Sequence, residues 1–313
     1  MKKKHLISLA YALGIPIVMI VLGMSLPNKS IEGSFHYSVI DKTELLKNSH
    51  SPKIILVGGS NIGFGMNSPE LEKKTGYKVA NMGVHGGYGL LFYIKQSEDY
   101  IRKGDVIVVS PEYRNFYGSS LNGDWVLLNL LFDAYPAATE YISLKHWLHL
   151  SQFFPKYAVK KLNSFFKFYF VPREAIETND VYLRSSYNSN GDVTTHWGLE
   201  PRPFSPYGSP WGDYNPQAIQ ELLKFQQHCK NIGAQVFVTF PSLQKASFNN
   251  MKPKIDLALE KLQAAKFQLL GSPDRYCFDD SLFFNTAYHL SKTGVDIRTK
   301  FLIEDLKKEG IGG

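Results

Sequence analysis

Two short segments hold the residue types of nucleophilic acyl transfer. ILVGGSNIGFG opens at Ile54 and carries Ser60 behind two glycines; FFNTAYHLSKTG opens at Phe283, near the other end of the chain, and carries His289. A serine hydroxyl attacks a carbonyl carbon only when a base takes its proton and donors stabilise the resulting oxyanion. Gly58 and Gly59 permit a sharp turn at a strand end, Asn61 and Gly63 continue a loop with free N–H groups, and His289 precedes the last helix as a base would. Each segment alone also fits an ordinary structural role. The pairing of an early serine with a late histidine is what points to chemistry.

The elements around them must deliver both residues to one place. KIILVGGS is a continuous apolar run ending in glycines, the pattern of a central parallel strand and a tight turn. SPELEKKTG predicts a helix with Pro69 at its first position, YKVANMGVHGG a second strand and a glycine-rich loop, and DVIVVSPEY a third strand after a helix from about Leu90 to Lys103. AQVFVTFP and FQLLGSPDRYCF supply a fourth and a short fifth strand. Helices are expected over Pro216 to Cys229, Lys252 to Lys266 and the stretch following His289. This alternation predicts a parallel, doubly wound α/β sheet. From about Tyr117 to Tyr214 the rhythm breaks into an aromatic-rich insertion with Trp125, Trp147, Trp197 and Trp211, helical over HWLHLSQFFPKYAVKKLNSFFKFYF, read as a cap or substrate wall.

The chain has 313 residues, 44% hydrophobic and 20% charged, which accommodates one large domain with an insertion. Its net charge of +7 is spread along the chain, and the densest basic run, Lys2-Lys3-Lys4, lies at the N-terminus, so nucleic acid is not the implied partner. Those lysines precede an uncharged apolar stretch, Leu6 to Leu26, long enough as a helix for about 31 Å. With a positive cytoplasmic flank, it is read as an uncleaved anchor, residues 1–27, in the cytoplasmic membrane, with the body outside. A cleaved signal peptide is the rival reading. Residues 28–52 read as a polar linker and 53–313 as the folded domain. Cys229 and Cys277 are either buried thiols or a single pair.

Four blocks in order resemble the SGNH hydrolase superfamily, in particular membrane-anchored SGNH-like proteins of bacterial envelopes. GGSN at Gly58 to Asn61 is similar to the block with the nucleophilic serine, NMGVHGG at Asn81 to Gly87 to the block whose glycine supplies an oxyanion N–H, here Gly83. SPEY at Ser110 to Tyr113 occupies the end of the third strand, where an oxyanion asparagine is common, and FFNTAYHLSKTG is similar to the last, histidine-bearing block. The resemblance covers roughly Lys53 to Gly118 and Gln235 to Leu306, and not the middle. It implies a three-layer α/β/α flavodoxin-like domain with a parallel sheet, tethered by one N-terminal transmembrane helix. It also implies esterase or O-acyltransferase chemistry on envelope glycans or lipid-linked substrates, without a cofactor, beside a multi-spanning membrane acyltransferase.

Two departures bear on that expectation. Asn285 stands where the relatives carry the aspartate that orients the histidine, and SPEY has no asparagine, the nearest being Asn115. Asp279 or Asp280 are the alternatives to Asn285; otherwise the chain is a Ser60–His289 dyad enzyme or a non-catalytic scaffold or glycan-binding protein. Lesser candidates are a metal pair at His146 and His149, a phosphate loop at Gly83, Gly86, Gly87 and Gly89, and His85 as an active-site visitor. A membrane-surface role for the segment with Lys156, Lys160, Lys161 and Lys167 is a further one. The histidines lack an acidic or cysteine partner and the glycines lack a P-loop lysine, so neither implies a ligand.

Overall fold

In the computed structural model the described residues are 2–170, 181–208 and 211–312, with the side chains of 2–4 and 6–13 outside that set. The central sheet has five parallel strands: β1 (Lys53–Gly58), β2 (Lys78–Asn81), β3 (Val106–Ser110), β4 (Gln235–Thr239) and β5 (Leu269–Leu270), ordered β2-β1-β3-β4-β5. Every residue of β1 is buried, as its unbroken apolar run requires. The pleat sends Ile55 and Val57 to one face and Ile54 and Leu56 to the other, and each set joins a separate core cluster. Helices therefore cover both faces, giving the α/β layering the sequence predicts.

In chain order the helices are α1 (Lys2–Ser25), α2 (Ser38–Asn48), α3 (Ser60–Gly63), α4 (Ser68–Thr75), α5 (Leu90–Glu98), α6 (Trp125–Asn129), α7 (Leu144–Leu150), α8 (Phe154–Phe170), α9 (Gln217–Ile232), α10 (Lys245–Ala264) and α11 (Lys292–Lys308). Leu71 of α4 and Leu302 and Leu306 of α11 pack on the Ile54–Leu56 face. Val39 of α2, Phe92 of α5, Phe225 of α9 and Ile255 of α10 pack on the opposite one.

Several boundaries differ from expectation for visible reasons. α5 stops at Glu98, not Lys103, because the next residues turn onto Asp105, whose carboxylate accepts from the N–H of Arg102 and of Lys53. α10 begins at Lys245, capped by the Gln244 side chain, and holds Pro253 inside rather than at its start. The long helical stretch of the insertion is broken between α7 and α8. The expected linker 28–52 is in fact part of the fold: α2 buries Val39, Leu46 and Lys42.

α1 is helical from Lys2, with Pro16 inside, yet among the described residues no helix is long and apolar enough to cross a membrane. Most of the first half of the expected Leu6–Leu26 span has its side chains outside the described set. Gly23 of α1 faces Ala158 of α8 so closely that a Cβ there would lie 2.8 Å from its side chain. Both ends of the insertion meet, through a bridge between Tyr117 and Tyr214 and a Gly118 N–H to Asp213 carbonyl bond of 2.8 Å.

Candidate active site

The sheet order reverses direction at β1 and β3, and in doubly wound sheets ligands gather at the carboxyl ends of strands flanking that point. Ser60 follows β1 and Glu112 follows β3, and both line one cavity of about 480 Å³ with His85, Gly86, Arg114, Tyr182, Tyr207, Tyr288 and His289. The two segments singled out by residue type thus converge. Ser60 opens α3, whose short turn is held from behind. Asn61, wholly buried, donates through Nδ2 to the Ser110 carbonyl at 3.2 Å, and its own carbonyl accepts from Arg298 Nη1 at 2.5 Å. Glycine is required at 58 and 59 by crowding: a Cβ at Gly58 would lie 2.8 Å from the Ser110 carbonyl oxygen, and one at Gly59 2.6 Å from Glu112 Oε1.

His289 begins β7 (His289–Leu290), which pairs antiparallel with β6 (Phe283–Thr286), so the hairpin rather than a helix presents the imidazole. The ring stacks on Phe64, centroids 4.0 Å apart and planes 7° from parallel. Its Nδ1 lies 2.9 Å from Asn285 Oδ1 and 3.3 Å from the Tyr182 hydroxyl. Burial, then the neighbouring His196 and His85, push its pKa down to about 3, so the ring is neutral at pH 7. Among the described residues the His289 side chain bonds Asn285 and Tyr182, and Ser60 is not one of its partners.

The amide at 285 settles the tautomer. Asn285 Nδ2 donates to the Tyr182 hydroxyl at 2.9 Å, which turns Oδ1 toward the imidazole. Nδ1 must then carry the proton, and Nε2 keeps the lone pair a general base needs. Asp279 and Asp280 are exposed, Asp279 lying 3.5 Å from Lys245 Nζ, so neither replaces Asn285. Tyr182 was not apparent from sequence, since it sits in the loop-like part of the insertion. Tyr182→Phe removes the acceptor that orients the amide; we expect kcat/KM on an ester to fall about tenfold, the worth of one such bond. An unchanged value in steady-state assays would refute the role.

Both expected oxyanion donors are occupied elsewhere. The Gly83 N–H is bonded to Asn81 Oδ1 at 3.0 Å, and its carbonyl accepts from Lys42 Nζ at 2.8 Å. Asn115 is buried, and its Nδ2 faces the Ser120 carbonyl at 3.4 Å. Gly86, three residues beyond Gly83, lines the cavity instead; its nitrogen would lie 3.1 Å from a Cβ at Gly59, and its N–H bonds no described residue. His85 does reach the cavity wall, its Nδ1 accepting from Gly87 N–H at 2.9 Å. His146 and His149 face backbone carbonyls of Asn122 and Gly123, at 2.8 and 3.0 Å, and Cys229 and Cys277 are both free thiols.

Fold and cavity together define an α/β protein with a cavity at the carboxyl ends of its central parallel strands. No family model matches the chain, and no curated protein matches it. Among solved structures, the crystal structure of protein YxiM from Bacillus subtilis is similar at a TM-score of 0.39 and 13% identity, over 85% of this chain. The match covers 58% of YxiM, so this chain spans little more than half of that protein.

Proposed function

We propose that the protein is a membrane-anchored serine esterase or acyltransferase of SGNH type, acting on acyl esters of envelope glycans or lipid-linked substrates. The observation that carries this reading is the Tyr182–Asn285–His289 chain, which leaves Nε2 unprotonated in a cavity that also holds Ser60. In the reaction, Ser60 Oγ bonds to the acyl carbon while its proton passes to His289 Nε2. The N–H groups of Ser60 and Gly86 hold the oxyanion, His289 returns the proton to the leaving alkoxide, and water or a sugar hydroxyl then takes the acyl group.

The anchor is supported by the basic start of the chain and by Ile15, Ile17, Val18, Met19, Val21 and Leu22 of α1, each more than half exposed. Phe166, Tyr169 and Phe170 of α8 are likewise exposed, which suits a membrane surface beside that anchor. An extracytoplasmic body working with a multi-spanning acyltransferase rests on the resemblance alone. A non-catalytic scaffold is the second reading, favoured by the neutral amide at 285. The test is covalent: a fluorophosphonate probe should label the intact chain at Ser60, seen by peptide mass spectrometry, and Ser60→Ala should abolish labelling. An unlabelled wild-type chain would favour the scaffold.

A further inference from the structure

A second cavity, of about 560 Å³, lies beside the one that holds Ser60 and shares a wall with it. Phe35 and His85 line both, their rings stacked with centroids 5.3 Å apart, so these two side chains form the partition. Lys160, Asn163, Ser164 and Lys167 of α8 also line the second cavity, at the i, i+3, i+4, i+7 spacing of one helix face. Trp125 of α6 joins them, with Lys160 Nζ 3.2 Å and Lys156 Nζ 5.2 Å from its ring centroid. Among the described residues no Asp or Glu lines this cavity, and Lys156, Lys160 and Lys167 form no ion pair. Asp124, whose field reaches Lys160, caps α6 through the Val126 N–H at 2.8 Å, and Asp133 pairs with Lys161 at 2.6 Å. We infer that this cavity takes the phosphate of a lipid-linked substrate whose acyl ester reaches Ser60 past Phe35 and His85. This names the substrate class of the Ser60 reaction and rests on that reading.

The charge of the site calls for an anion. Two ammonium groups converge on one indole ring, and burial, then Lys156, lower the Lys160 pKa; a bound anion offsets that repulsion. A lysine offers phosphate a compact charge with three donors. Position selects a lipid over a soluble anion. Asn28 and Ser30, just past the proposed anchor, line the cavity, and Lys161 Nζ donates to the Met24 carbonyl at 2.8 Å, which fastens α8 to the end of α1. On α8 the stripe next to the basic one holds Val159, Phe166 and Phe170, all exposed. An apolar stripe beside a basic one is the pattern of a helix at headgroup level, where lysines meet lipid phosphates.

The test is calorimetric titration of the full chain in a neutral detergent with dihexanoyl phosphatidate, dihexanoylglycerol and inorganic phosphate, with circular dichroism to establish folding. Phosphatidate should bind at least about tenfold more tightly than either of the others, and Lys160→Gln/Lys167→Gln should weaken it by about tenfold or more. Lys103→Gln/Lys300→Gln removes the same charge at exposed positions that line neither cavity, and should bind as wild type does. Bound phosphatidate should also slow fluorophosphonate labelling of Ser60. Inorganic phosphate binding as tightly as phosphatidate would overturn the lipid assignment. A folded Lys160→Gln/Lys167→Gln chain that binds like wild type would overturn the site, and labelling that phosphatidate does not slow would overturn its link to Ser60. Ser60 labelled in a chain that binds no phosphatidate sinks this inference alone, whereas phosphatidate bound by a chain that is never labelled sinks the acyl-transfer reading.

Discussion

His289→Ala is expected to lower kcat/KM for an activated ester by about 10⁴-fold or more, whereas Asn285→Asp should change it less than about a hundredfold, and upward. The contrast follows from what each group does. Without His289 no other nearby imidazole takes the Ser60 proton in its place: His85 Nδ1 is occupied by Gly87 N–H, and His196 gives its Nε2 to the Leu290 carbonyl at 2.9 Å. At the orienting position, the usual 10⁴ cost of an amide comes largely from fixing the wrong tautomer. Here Tyr182 takes the amide N–H and turns the carbonyl inward, so the right tautomer survives and only the charge on the imidazolium goes uncompensated. Aspartate would restore that charge. Steady-state kinetics of the two variants decide the matter: a His289→Ala enzyme within tenfold of wild type removes the base, and an Asn285→Asp enzyme that loses activity removes the tautomer argument.

The sheet was legible because its strands are continuous apolar runs closed by glycines, a pattern with one physical reading when helices alternate with it. Ser60 and His289 were legible for the same reason, each lying at the boundary of a strongly patterned element. Asn285 lies 2.9 Å from the imidazole, but the sense of its amide depends on Tyr182, which joins the site from a stretch without periodicity. The partners of the Gly83 N–H and the Asn115 amide could not be read from the sequence, because a loop's N–H directions are not written in residue types. NMGVHGG offers several glycines, and the buried Asn81 side chain takes the N–H of Gly83. At SPEY the residue two places past the strand is Glu112, whose carboxyl pairs with Arg114 at 3.2 Å.

The polar residues behind the site were also invisible to pattern reasoning, because buried charges are exceptions to it. Arg298, fully buried in α11, holds the Asn61, Ser110 and Phe240 backbone or hydroxyl oxygens and so ties the last helix to the Ser60 turn. Its guanidinium has no carboxylate among these partners, and burial lowers its pKa to about 10. Lys42 binds the carbonyls of Asn81, Gly83 and Gly191, which fastens the supposed linker to the glycine loop. Such groups are costly to bury and are retained where backbone carbonyls would otherwise go unpaired.

Mild acid should destabilise the protein, and this is the largest stability effect expected. His36, His196 and His289 are 4%, 1% and 6% exposed, and their pKa values are lowered to about 3, 4 and 3, in each case chiefly by burial. Each is neutral when folded yet binds a proton below about pH 6.5 when unfolded. Between pH 6.5 and about 4 the unfolded chain therefore holds more protons, and stability falls as pH falls. At about 1.4 kcal/mol per pH unit for each group, the three together reach about 4 kcal/mol per unit at most. Asp192 and Glu112 run the other way, since burial raises both and the folded state binds their protons first, so the net slope is smaller. Against a typical stability of about 5–15 kcal/mol, one to two units of acidification remove a large part of the total. Urea titrations followed by circular dichroism should show the midpoint falling steadily from pH 7 to pH 5, and an unchanged midpoint would refute the burial of these rings as neutral bases. The same ordering assigns the acid limit of activity. With His289 neutral down to about pH 3, turnover lost near pH 5 reports loss of the fold rather than protonation of the base, so activity and the urea midpoint should decline together.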